Sequence, residues 1–127
     1  MLRVAGVTQD DTVLDLGCGD GRIVVTAAEE FGAKGLGVEL DPALAQAAAE
    51  AVQRKGLGDR VHIQQGDVRG LDASRADVIT LYLNEKANRQ LLDSLKPGTL
   101  RDGTRVVSLF FPIQVRWHAL GVAELTR

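Results

Sequence analysis

Residues 12 to 31 pass from a short aliphatic run, TVLDLG, through the glycine-rich turn GCGDGR into an apolar helical pattern, and residues 35 to 52 make the same passage again. Asp15 apart, the first run is β-branched and aliphatic, which predicts a strand buried on both faces. Val24, Ala27, Ala28 and Phe31 follow at i, i+3, i+4 and i+7, and Gly32 is placed to end that helix. Gly35 to Leu40 predicts the second strand, with Asp41 as the cap and Pro42 at the first position of a second helix. Leu44, Ala47, Ala48, Ala51 and Val52 supply the expected buried stripe of that helix, which ends near KGLGD. RVHIQQGD, ADVITLYL and GTRVVSLFF read as three further strands, and Leu91, Leu92 and Leu95 mark a helix between the last two. Parallel strands need crossover connections, so this alternation predicts an α/β fold. The expected form is a doubly wound, mainly parallel sheet with helices on both faces. A length of 127 residues with 45% apolar content fits a single domain over 1–127.

Sheets of this kind take ligands outside the carboxyl ends of their strands. The candidate loops are therefore Gly17 to Arg22, Glu39 to Pro42, Gly66 to Leu71 and Tyr82 to Ala87. A dinucleotide fingerprint needs a third glycine where Arg22 stands, and a nucleoside triphosphate loop needs a Gly-Lys-Ser/Thr ending that is missing. The turn also carries Asp15 and Asp20, whose charge repels phosphate. With 15 basic and 17 acidic side chains the net charge is −2, which leaves no electrostatic footprint for nucleic acid. No apolar run approaches the roughly 18 residues of a membrane span, so a cytoplasmic chain without a membrane partner is expected. Cys18 is the single cysteine, and His62 and His118 lie without metal-ligand spacing, so no bound metal is expected.

Two further acids sit at predicted strand ends. Glu39 lies 20 residues beyond Gly19, where a carboxylate can accept bonds from both hydroxyls of a ribose. Asp67, after the third strand, can accept from an exocyclic amino group while a neighbouring backbone N–H donates to a ring nitrogen. An adenosine attached to a cationic group satisfies all these positions. Taken singly, Glu39 also reads as a solvated strand-end acid and Asp67 as a turn residue. Asp41 reads as a helix cap, Cys18 as a small residue in a tight turn, and Arg22 as a partner for Asp20 or a loop carbonyl.

VLDLGCGDGR, GVELD and QGDV, in that order over residues 13 to 68, resemble the motifs of Rossmann-like S-adenosylmethionine-dependent methyltransferases. The resemblance implies S-adenosylmethionine as cofactor and S-adenosylhomocysteine as product. By it Asp15 and the turn of Gly17, Gly19 and Gly21 hold the methionine portion, Glu39 the ribose, and Asp67 with the Val68 backbone the adenine. The acidic turn then faces an ammonium group and a positively charged sulfonium.

Enzymes that methylate base amines typically carry an Asn/Asp-Pro-Pro-aromatic segment after the fourth strand, where this chain has LYLNEKAN. DLGCGDGRIVVTAA, LYLNEKANRQL, LKPGT and GTRVVSLFFPIQVRW together resemble archaeal and bacterial protein-lysine methyltransferases related to mitochondrial lysine methyltransferases. That resemblance, extending to about Trp117, implies a protein lysine as methyl acceptor. Tyr82 and Asn84 can then hydrogen-bond the amine and Glu85 can attract the lysine. The same residues also suit core packing, for Tyr82, and a solvated helix start, for Glu85. Trp117 suits a lysine channel or plain packing, and His118 the surface. The family pattern has more chain ahead of the first strand and after the fifth. The fold is thus expected to be shortened at both termini, with VRWHALGVAEL supplying one or two short strands and a homo-oligomer covering the open sheet edge. The alternative readings are a small-molecule or RNA methyltransferase of the same superfamily, and a non-catalytic S-adenosylmethionine-binding subunit.

Overall fold

The computed structural model describes residues 2, 3, 5–82, 85–108, 114–117 and 123–126, with no side-chain description for 85, 88, 114–117 and 123–126. Its elements run β1 (Thr12–Leu16), α1 (Arg22–Phe31), β2 (Lys34–Glu39), α2 (Pro42–Arg54), β3 (Val61–Gln65), β4 (Val78–Leu81), α3 (Glu85–Ser94), β5 (Arg105–Ser108), β6 (Gln114–Trp117) and β7 (Ala123–Thr126). The seven strands form one sheet in the order β3-β2-β1-β4-β5-β7-β6. All neighbours are parallel except β6 and β7, which pair antiparallel from Gln114↔Thr126 to Trp117↔Ala123. The one or two short strands expected from VRWHALGVAEL are thus two, of four residues each, and they pair with one another at the sheet edge.

Alternation along the strands divides the core. Leu14, Leu16, Ile79, Leu81 and Val106 point to the face covered by α3, through Leu92 and Leu95, and by residues 68–76. Val13, Val78 and Val107 point to the opposite face, covered by α1 through Ala27 and by Leu2, Ala5 and Val7. On that α1 side, Val24, Val25 and Ala28 pack with Val52 of α2 and Val61 of β3. Helices thus lie on both faces, as the alternating sequence requires. The chain winds outward from β1 through β2 to β3, then returns to β4 and winds the other way. Where the winding reverses, between β1 and β4, the following loops part and leave a crevice at the strand ends.

The caps follow the sequence chemistry. Asp41 accepts from the N–H groups of Ala43 and Leu44 at 2.9 and 3.4 Å, with Pro42 beside it, and Gly32 closes α1 in the left-handed region at φ 68°. The buried stripe of α2 differs from the expected one. Ala45, Ala48 and Val52 are buried, whereas Leu44 is 42% exposed and Ala47 is exposed. The helix is rotated so that its alanines meet the sheet and α1. Leu44 is thereby left for the crevice.

No helix among the described residues is long and apolar enough to cross a membrane.

Candidate active site

β1 ends at Leu16 and the chain turns through Gly17, Gly19 and Gly21, at φ 77°, 56° and 86°, before α1 begins. Side chains other than glycine rarely hold such angles. Gly21 has a second reason to lack a side chain, since a Cβ there would come within 3.1 Å of the Ala48 Cβ on α2. The glycine is what lets the two helices approach.

Most N–H groups of this turn, all but that of Asp20, are spent inside the protein. Gly17 and Cys18 both donate to the Val38 carbonyl at 2.8 and 3.0 Å, Gly21 donates to the Cys18 carbonyl, and Gly19 donates to Glu39 Oε1 at 2.8 Å. Asp20 accepts from the Arg22 N–H and pairs with the Arg22 guanidinium at 2.9 Å. A phosphate loop offers a nest of unspent N–H groups. Here acceptors of the chain already take most of those N–H groups, and a carboxylate stands before the helix. The acids of the turn are thus consistent with its hydrogen bonding, and phosphate is a poor ligand for it.

Beyond the turn lies a cavity of about 460 Å³, within the roughly 300–1,000 Å³ typical of small-molecule sites. Asp15, Gly17, Cys18, Gly19 and Asp20 form its polar side, and Ile23, Leu44 and Tyr82 its apolar side, with Arg22 at the edge. Tyr82 is 62% exposed, so it stands at the mouth and not in the core. Asp15 is buried at 2% exposure and accepts from the Thr80 hydroxyl, 2.7 Å from its Oδ1. Burial pushes the Asp15 carboxyl up to about 6, the Thr80 bond opposes that rise, and the neighbouring Glu39 charge adds to it. The Cys18 thiol is pushed up to about 12 by burial and by the charges of Asp15, Glu39 and Asp20. That makes it inert as a nucleophile and suits its reading as a small turn residue.

Glu39 closes the next strand. Beside the Gly19 bond, its Oε2 accepts from the Asp41 N–H at 2.9 Å, so one carboxylate ties the β1 turn to the β2 turn. A carboxylate has about four acceptor sites, which leaves two for a ligand. Gly66 N–H donates to the Glu39 carbonyl at 2.8 Å and brings the β3 exit alongside. Asp67 on that exit accepts from the Arg69 N–H at 2.9 Å and from the Arg69 guanidinium at 2.7 and 2.8 Å. These bonds hold its carboxyl below the usual range. The Val68 side chain is buried in the core, and its N–H meets no acceptor among the described residues.

The structure therefore gathers Asp15, Gly17, Gly19 and Tyr82 around one cavity and links Glu39 to it through Gly19. Gly21 serves helix packing, and Asp67 and Val68 sit on the adjoining turn, outside the cavity wall. Glu85 is the first residue of α3, while Asn84 and His118 lie outside the described residues. Trp117 ends β6. Sequence reasoning missed Leu44 as a wall residue and Thr80 as the partner of Asp15. A polar threonine inside the apolar run VITL was the available signal for the second.

Gly37, the β2 neighbour of Asp15 in register, was read only as part of a strand. A Cβ there would lie 2.7 Å from Cys18 Sγ and 2.9 Å from Cys18 Cβ. Gly37→Ala is expected to destabilise the fold by about 1–3 kcal/mol through overpacking. Thermal melting followed by circular dichroism checks this, and an unchanged melting temperature would contradict the packing described.

A doubly wound sheet with this winding order, an acidic glycine turn after β1 and a carboxylate after β2 define a Rossmann-like S-adenosylmethionine-dependent methyltransferase. The family model described as the ANTKMT methyltransferase domain matches residues 15–119, and the chain belongs to that family. It is 42% identical over 115 residues to a protein-lysine N-methyltransferase of Saccharolobus islandicus (strain REY15A), covering 90% of this chain and 71% of that one. It is 34% identical over 80 residues to a ribosomal protein L11 methyltransferase of Enterobacter sp. (strain 638), covering 60% of this chain and only 27% of the relative. Among solved structures, an RNA methyltransferase from Salinibacter ruber in complex with S-adenosyl-L-homocysteine superimposes with a TM-score of 0.69 at 43% identity. That match covers 77% of this chain and 67% of the other.

Proposed function

We propose that the chain transfers methyl groups from S-adenosylmethionine to the side-chain amines of protein lysines. The observation that carries this is the sign of the cavity. Asp15 and Asp20 form its wall with Glu39 behind, and the arginine at its edge is already paired. An RNA backbone needs unneutralised cations near the reacting centre. A cationic methionine group and a lysine approaching as an ammonium both suit carboxylates.

In this reading Asp15 and the turn of Gly17, Gly19 and Gly21 hold the methionine portion. Glu39 accepts from the ribose hydroxyls with its two remaining acceptor sites. Asp67 accepts from the adenine amino group, and the unspent Val68 N–H donates to a ring nitrogen. When bound, S-adenosylmethionine supplies an electrophilic methyl group on a sulfonium sulfur that leaves as a neutral thioether. Only a neutral amine has the lone pair to attack the methyl carbon, so the mouth must strip the lysine of its proton. Leu44, Ile23 and the Tyr82 ring surround the aliphatic arm and desolvate the nitrogen, which lowers its pKa. Tyr82 and Asn84 orient the amine, and Glu85 draws the lysine towards the mouth. The lysine's proton passes to solvent before the attack, and transfer leaves a methylated ammonium and a neutral thioether.

The test is incubation with methyl-labelled S-adenosylmethionine and separate pools of protein and RNA. Hydrolysis of the labelled protein is expected to release methyllysines. The name of the Salinibacter relative favours RNA as a second reading, and label confined to RNA or to small molecules would overturn the lysine assignment. Binding of S-adenosylhomocysteine with no transfer to any pool would favour a non-catalytic subunit.

A further inference from the structure

We infer that Thr80 is a positioning residue of the methyl-donor site: its hydroxyl fixes the Asp15 carboxylate so that the second oxygen faces the cationic end of the cofactor. This rests on the cofactor reading above. Asp15 and Thr80 are register partners on β1 and β4, the two strands between which the winding reverses. Thr80 is fully buried, and its hydroxyl lies 2.7 Å from Asp15 Oδ1. Among the described residues it is the one donor to that carboxylate, so Oδ2 keeps its lone pairs while Asp15 lines the cavity.

A buried carboxylate needs such a donor to stay charged, because its burial and the neighbouring Glu39 charge both work against ionisation. Glu39 faces it from β2, Cys18 and Asp20 from the turn, and Tyr82 from the exit of β4. Arg22, the cation at the cavity, is engaged by Asp20. A hydroxyl donates to the ionised acid and can accept from the protonated one, so Thr80 satisfies Oδ1 in both states. Valine has the same shape and neither capacity. Serine keeps the donor and loses only a methyl group.

The probe is S-adenosylhomocysteine, which retains the ammonium, titrated calorimetrically into the whole chain between about pH 5 and pH 9. Wild-type affinity is expected to rise with pH as Asp15 ionises, and Asp15→Asn is expected to remove that rise. Thr80→Val is expected to move the rise upward by about one pH unit, since loss of one such bond is worth about a factor of ten, so binding should be about tenfold weaker near pH 5 and about twofold weaker near pH 7. Most of the loss should be regained near pH 9. Thr80→Ser is expected to keep the wild-type midpoint, and it carries the test if the valine variant does not fold. A Thr80→Val loss that is the same at every pH, a wild-type profile in Thr80→Val, or a serine variant with a displaced midpoint would overturn the inference. Failure of the wild-type chain to bind at any pH would instead overturn the cofactor reading beneath it.

Discussion

Asp15→Asn is expected to make the protein more stable at neutral pH and a poorer cofactor binder. Asp15 titrates near 3.8 when unfolded and at about 6 when folded. Between those values the folded chain holds the extra proton, so stability falls as pH rises through this window. The shift of about two units corresponds to about 3 kcal/mol above it. Asparagine keeps an acceptor for the Thr80 hydroxyl and carries no charge into the core. The variant should therefore exceed wild type by up to about 3 kcal/mol at pH 7.5, with the difference vanishing below about pH 4. Urea unfolding of both proteins at the two pH values gives the comparison. Binding of S-adenosylhomocysteine should fall by about 1.5–3 kcal/mol, the worth of a hydrogen bond to a charged group. A variant less stable than wild type at pH 7.5 would show that Asp15 is a structural acid and not a charge held in reserve for a ligand.

Glu39→Ala is expected to have the largest effect on binding. The carboxylate ties the Gly19 and Asp41 N–H groups together and still offers two acceptor sites. Removing it takes away the ribose contacts and loosens the turn that borders the cavity. Affinity for S-adenosylhomocysteine should fall by about 2–4 kcal/mol and stability by about 1–2 kcal/mol. Glu39→Gln keeps one acceptor oxygen and should lie between. Calorimetry and urea unfolding on the same preparations separate the two losses. Unchanged affinity in Glu39→Ala would remove this residue from the site.

These two acids were legible in the sequence because each lies in the carboxyl-terminal part of a strand whose pattern is local, Glu39 as the last residue of β2 and Asp15 as the one before the end of β1. TVLDLG and GLGVEL announce their strands, and the residue where an apolar run stops in a parallel sheet lies at the ligand edge. The Asp41 cap and the Gly32 stop were legible for the same reason, since they depend on neighbours within one turn. Thr80 was not, because its partner lies 65 positions away and only the pairing of β1 with β4 sets them side by side. Gly37 was missed likewise: its lack of a side chain matters through Cys18, which the turn folds back over it. In α2 every candidate for the buried stripe except Val52 was alanine or leucine, so periodicity left the rotation open and packing against the sheet and α1 decided it. The last two strands, QVRW and AELT, are four residues each, so the sequence announced short strands in VRWHALGVAEL without fixing their number or bounds.

The acidic turn, at first out of place in a glycine-rich loop, is thus the feature that defines the ligand. Most of its N–H groups are bonded within the protein, and the buried Asp15 carboxylate faces a cavity whose one cation among the described lining residues, Arg22, is paired with Asp20. A crystal structure of the chain with S-adenosylhomocysteine tests this most directly. The account predicts the ligand ammonium within hydrogen-bonding distance of Asp15 and the ribose hydroxyls donating to Glu39, with the sulfur towards Tyr82. A bound ligand whose ammonium lies out of reach of Asp15, or whose ribose sits away from Glu39, would contradict it.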